Sequence, residues 1–122
     1  MKKQIYDCVA GCEVESAVQL IAGRWKSVIL YHLIYDGDLR YSELQRLFPG
    51  IERRTLSLQL RGMEDDRLIQ KVTNSLEENV SRYQITEFGL QAKPAIIALY
   101  QMGRNFNEEN QGKYPVADLE SY

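Results

Sequence analysis

The most constraining feature of this 122-residue chain is a change of hydrophobic period in its middle third. From Ser42 to Asp66 apolar residues recur at helical spacing, broken once by Pro49-Gly50. From Leu68 to Thr86 the spacing shortens to alternation. A helical repeat places i, i+4 and i+7 on one face, whereas a strand places alternate residues there, so the switch marks a helix pair running into strands. Ser42 to Phe48 reads as a short helix, with Ser42-Glu43-Leu44-Gln45 fitting the S-x-x-Q capping box. Pro49-Gly50 stops it. Glu52 to Asp66 reads as the next helix, with Leu56, Leu60 and Met63 on its inner side. Leu68 to Thr73 and Val80 to Thr86 read as strands of a hairpin around the polar turn Asn74 to Asn79.

The flanks are helical. Glu13 to Ala22 carries Val14, Ala17, Val18 and Ile21 on one face and ends at Gly23. Arg24 to Tyr35 is apolar most of the way round (Val28, Ile29, Leu30, Leu33, Ile34), the pattern of a central core helix. Asp36-Gly37-Asp38 is a turn. Thr86 to about Asn107 reads as a long final helix, with Pro94 inside it as a kink or a division. The predicted fold is mainly α with a small β-hairpin (α+β): a winged helix-turn-helix with an additional N-terminal helix and a long C-terminal dimerisation helix. One domain spans 1–110, and 111–122 is expected to be a flexible acidic tail.

Composition excludes some classes and leaves others open. The net charge is −2, so the chain is not uniformly cationic. Charge is segregated, however: residues 107–122 carry −3, while 40–72 carry +2. No apolar run approaches the ~20 residues of a membrane span. The amino end lacks an apolar stretch of signal-peptide length, so a cytoplasmic protein without membrane contact is expected. Cys8, Cys12 and His32 give three nitrogen or sulfur ligands where structural zinc takes about four, so no metal is expected. No cofactor fingerprint, nucleophile–base set or phosphate-cradling glycine loop is present, and an enzyme is not expected. His32 lies in an apolar helix without Cys or carboxylate partners at ligand spacing, and Trp25 reads as an anchor at the start of a core helix.

Several segments in fixed order resemble the HxlR-type family of winged-helix transcriptional regulators, relatives of the MarR group. They are Cys12-Glu13-Val14-Glu15, Gly23-Arg24-Trp25-Lys26, Ile29-Leu30-Tyr31-His32-Leu33 and Arg40-Tyr41-Ser42-Glu43-Leu44. Further along come Pro49-Gly50-Ile51, Arg54-Thr55-Leu56-Ser57-x-Gln59-Leu60-Arg61 and Tyr83-Gln84-Ile85-Thr86-Glu87-Phe88-Gly89. The resemblance covers about residues 12–106. It implies a homodimer that binds double-stranded operator DNA near promoters. It also implies, for some members, a response to thiol-reactive compounds through a cysteine near the amino end. The chain departs from the family pattern at Glu13, Ala22, Glu52, Arg67 and Ser81-Arg82, where Pro, Gly, Ser, Gly and Val-Glu are common. Glutamate at 52 caps a helix less well than serine and repels phosphate, which would weaken binding or change its register on DNA.

The candidate DNA-binding residues follow. At about 100° per residue, Arg54, Thr55, Leu58 and Arg61 point away from the buried side of their helix. Arg53 lies nearer that side but has the reach to swing out. Arginine can fork onto guanine or neutralise phosphate. Thr55 and Ser57 can bond bases or phosphates, and Leu58 can meet a thymine methyl. Arg40 and Ser42 frame a helix start suited to a phosphate. Asn74, Ser75, Asn79 and Arg82 are wing candidates, opposed by Glu77 and Glu78. Cys12, with Cys8 upstream, is the candidate redox pair: the helix start lowers a thiol pKa, while Glu13 and Glu15 raise it. Val14, Val18, Ile21, Ile96, Leu99, Tyr100, Gly103 and Phe106 are the candidate dimer interface. The competing function is a winged-helix protein-interaction module without specific DNA binding, using Leu58 and the acidic wing. The chain is expected to bind an operator under the control of a small molecule or an oxidant, most simply as a repressor.

Overall fold

The computed structural model describes residues 12–74 and 80–110, with side chains for 13–73 and 80–110. Its elements are α1 (Cys12–Ile21), α2 (Lys26–Tyr35), β1 (Leu39–Arg40), α3 (Tyr41–Leu47), α4 (Arg53–Asp65), β2 (Ile69–Asn74), β3 (Val80–Ile85), a 3-10 turn (Gly89–Ala92) and α5 (Lys93–Glu109). The expected winged helix-turn-helix is what forms. Ser75 and the rest of the wing turn, Cys8 and the expected tail at 111–122 lie outside the described residues.

The core is one apolar cluster. Ile29, Leu30 and Leu33 of α2 meet Leu44 and Phe48, then Leu56, Leu60 and Met63 of α4, and Leu68, Ile69, Tyr83 and Ile96 close it. Burial of each large side chain contributes about 1.5–3 kcal/mol. Trp25 is half-buried, its ring 5.8 Å from Phe48. His32 has a carboxylate partner after all: Nδ1 lies 2.7 Å from Asp36 Oδ2, one helical turn on.

Three junctions differ from the sequence reading. The sheet has three antiparallel strands in the order β1-β3-β2, with Leu39 opposite Tyr83 and Arg40 opposite Arg82. Because β1 runs directly into α3, the helix starts at Tyr41, and Ser42 and Gln45 do not make the cap. Arg40 is the N-cap, and its N–H donates to Glu43 Oε1 at 2.8 Å. The last helix does not begin at Thr86. A 3-10 turn precedes α5, and Pro94 stands in the first turn of α5, where its missing N–H costs nothing.

The passage from α4 into the sheet is tightly built. Arg67 has φ 64°, the left-handed conformation. Its N–H donates to the Glu64 carbonyl at 2.9 Å, and Leu68 N–H donates to the Met63 carbonyl at 3.0 Å, the two bonds of a Schellman motif. The Thr86 hydroxyl donates to the Arg67 carbonyl at 2.6 Å and accepts Gly89 N–H at 2.8 Å. Gly89 packs so closely that a Cβ there would run into the Leu68 carbonyl. These contacts fix the hairpin relative to α4.

Candidate nucleic-acid interface

The core spacing of Leu56, Leu60 and Met63 turns the opposite side of α4 to solvent. On an ideal helix Arg54, Leu58 and Arg61 fall within about 60° of one another on that outer side. All three are exposed, and Leu58 shows 55% of its surface. Thr55 is half-buried at the edge of this face.

The start of α4 is held by α3. Tyr41 OH donates to the Arg53 carbonyl at 2.8 Å and lies 3.1 Å from Ser57 Oγ. The Arg53 guanidinium sits 5.7 Å from the centre of the Tyr41 ring. One tyrosine thereby fixes the first turn of α4 and engages the Ser57 hydroxyl, which the sequence reading had assigned to bases or phosphates. Tyr41 was not singled out from sequence. Its position beside Ser42 in a matched segment was the only signal. Glu52 is the N-cap of α4 and makes no side-chain cap bond, in keeping with its poor capping chemistry.

Beside α4, the register places Arg40 and Arg82 directly opposite on one face of the sheet. Arg82 Nη1 lies 3.8 Å from Glu43 Oε1. Arg40 and Ser42 are exposed. Asn74 ends β2 and its side chain lies outside the described set, as do Ser75, Asn79, Glu77 and Glu78. On the inner face Tyr83 packs under the Lys71 ammonium, 5.9 Å from the ring centre. Burial, then the nearby Glu64 and Tyr41, raises its phenol above the ordinary value.

The proposed dimer face divides. Val14 and Val18 on α1 and Leu99, Tyr100 and Phe106 on α5 are exposed. Gly103 is half-buried. Ile21 is half-buried against the core. Ile96 is a correction: it is only 4% exposed, because α5 turns this residue into its own chain's core. Ile97 and Met102, which the sequence reading passed over, are exposed. Cys12 is the first residue of α1; its side chain lies outside the described residues. Among the described residues, no helix is long and apolar enough to cross a membrane, and no group of three His, Cys, Asp or Glu could hold a metal ion.

Residues 20–111 match the model of the HxlR-like helix-turn-helix family. The chain is 37% identical over 102 residues to the uncharacterized HTH-type transcriptional regulator YdeP of Bacillus subtilis (strain 168), covering 84% of this chain and 79% of that protein. It is 36% identical over 104 residues to a second such regulator of the same organism, YybR, covering 85% and 82%. Among solved structures, the redox regulator HypR in its oxidized form is similar with a TM-score of 0.71 and 33% identity, covering 77% of this chain and 96% of that one.

Proposed function

The chain belongs to the HxlR-like helix-turn-helix family, and from that premise we propose that it is a cytoplasmic transcriptional regulator. It binds double-stranded operator DNA sequence-specifically as a homodimer and represses by occupying the promoter. The observation that carries this reading is the outer face of α4, where exposed Arg54 and Arg61 stand opposite the buried Leu56, Leu60 and Met63. A helix-turn-helix inserts such a face into the major groove, and the adjoining hairpin lies against the flanking backbone. Arg40 on β1 and Arg82 midway along β3, opposite one another in the sheet, are the proposed phosphate contacts beside it.

A salt titration tests the proposal. For a dimer, Arg54→Ala removes two cations. If Arg54 holds phosphate, the slope of log affinity against log salt becomes shallower by about two. If Arg54 reads a base, affinity for the preferred site drops by about 1–3 kcal/mol per half-site while the slope stays. A folded Arg54→Ala protein unchanged in both respects removes Arg54 from the interface. Binding that ignores salt and sequence would favour a protein-interaction module instead.

The regulatory signal we propose is a thiol-reactive compound acting at Cys12. That residue opens α1, where helix N–H groups favour a thiolate against the opposing charges of Glu13 and Glu15, and the similar HypR is named a redox regulator. Diamide should weaken operator binding by the wild type and leave Cys12→Ser unaffected. An equal response in both proteins would exclude the thiol.

A further inference from the structure

Leu58 is the large apolar side chain that the outer face of α4 leaves in solvent, 55% exposed. It stands two residues from Leu56 and two from Leu60, both buried, and therefore points almost directly away from the core. Its neighbours on that face are Arg54 one turn before and Arg61 three residues after, with Asp65 at the far end. Gly62, next on the same side, adds no side chain, and nothing lies within 4 Å of where its Cβ would be.

We infer that Leu58 reads the 5-methyl group of a thymine, making it a specificity-determining residue of the operator contact; the inference rests on the DNA-binding function proposed above. Three features favour this occupant over a protein partner. A single leucine between two arginines on an exposed helix face falls far short of the several hundred Å² of contiguous apolar surface typical of a protein interface. The major groove offers one apolar group, the thymine methyl, on a scale that one leucine can cover. The flanking arginines match what stands beside such a methyl, since guanine presents O6 and N7 to a guanidinium. Leu58 lies about 6 Å along the axis from Arg54 and about 4.5 Å from Arg61. Each half-site should therefore require a thymine with a guanine within about two base pairs.

The test uses the duplex that the wild-type protein selects from a random DNA pool. Each thymine is replaced in turn by uracil, which lacks only the methyl group. Wild type should lose about three- to fivefold in affinity per half-site at one thymine, the effect of about one methyl's burial, and less than twofold elsewhere. Leu58→Ala should bind the thymine duplex more weakly than wild type and show no loss on uracil substitution. Leu58→Met, which keeps an apolar side chain, should retain the discrimination. Because Leu58 is exposed, the variants should melt like wild type. If no thymine is sensitive while selective binding persists, the inference is wrong and the proposed function stands. Equal sensitivity of Leu58→Ala and wild type would also overturn it, since another residue would then read the methyl. If the wild-type protein selects no sequence, the proposed function itself fails and this inference with it.

Discussion

Replacing Arg67 by glycine should stabilise the fold. Arg67 holds φ 64° at the end of α4, where its N–H and that of Leu68 close the Schellman motif at 2.9 and 3.0 Å. A residue with a Cβ in this conformation costs about 1–2 kcal/mol, whereas glycine adopts it freely. Glycine also has more freedom in the unfolded chain, which offsets about 0.4–1 kcal/mol of the gain. The net expectation is about 0.5–1 kcal/mol of added stability, or roughly 2–5 °C in Tm for a domain of this size. The backbone bonds survive the change, as does the side-chain bond from the Thr86 hydroxyl to the Arg67 carbonyl. Arg67→Ala is the control, because it removes the same charge and keeps the strain. Urea and thermal unfolding should place Arg67→Gly above wild type and Arg67→Ala at or below it. If both variants shift alike, charge rather than backbone conformation governs the position and the reasoning is wrong.

Gly89→Ala should cost about 1–3 kcal/mol, because the new methyl meets the Leu68 carbonyl, a backbone atom that cannot rotate away; an unchanged urea midpoint would contradict this packing. Tyr83 ionises less readily folded than unfolded. Its contribution to stability is therefore complete below about pH 10 and declines as pH rises through the raised folded value. Tyr83→Phe should flatten that alkaline loss in denaturation curves, and an identical alkaline slope would exclude the residue as its source. Leu99→Glu, on the exposed side of α5, should leave the monomer folded. It should raise the dimer dissociation constant by about 100-fold or more, the cost of burying an unpaired carboxylate. Sedimentation equilibrium measures this, and a wild type that is already monomeric at tens of micromolar, on the order of that dissociation scale, would refute the dimer.

The legible parts of this fold were those with a local period. Leu56, Leu60 and Met63 announced the buried side of α4, and through it the outer position of Arg54, Leu58 and Arg61, because helical geometry fixes both together. What escaped was decided at long range. β1 has two residues and no period of its own; it is a strand because Leu39 and Arg40 pair with Tyr83 and Arg82, far along the chain. That pairing then moved the start of α3 to Tyr41 and made Arg40 its N-cap, with Glu43 accepting the Arg40 N–H. Thr86 read as a helix start on local grounds, yet its hydroxyl is committed to the Arg67 carbonyl, 19 residues earlier. α5 shows a single apolar stripe in sequence but uses it in two directions. Ile96 fills the core, while Leu99, Met102 and Phe106 fall roughly 60–120° around the helix and face outward. The tie from Tyr41 to Arg53 and Ser57 was invisible because it joins two helices through side chains, for which the sequence offers no spacing rule.

In the proposed function, α4 reads duplex DNA as one half of a two-fold pair. Selection from a random duplex pool by the purified full-length protein tests it most directly, with the enriched sequences then measured at several salt concentrations. The expected result is enrichment of an inverted repeat whose half-site centres lie about one helical turn apart (10–10.5 base pairs) or a multiple of that. Affinity for it should fall steeply with salt and depend on Arg54 and Arg61. A pool that stays random, or enriched sites bound equally well by the double variant Arg54→Ala, Arg61→Ala, would contradict it.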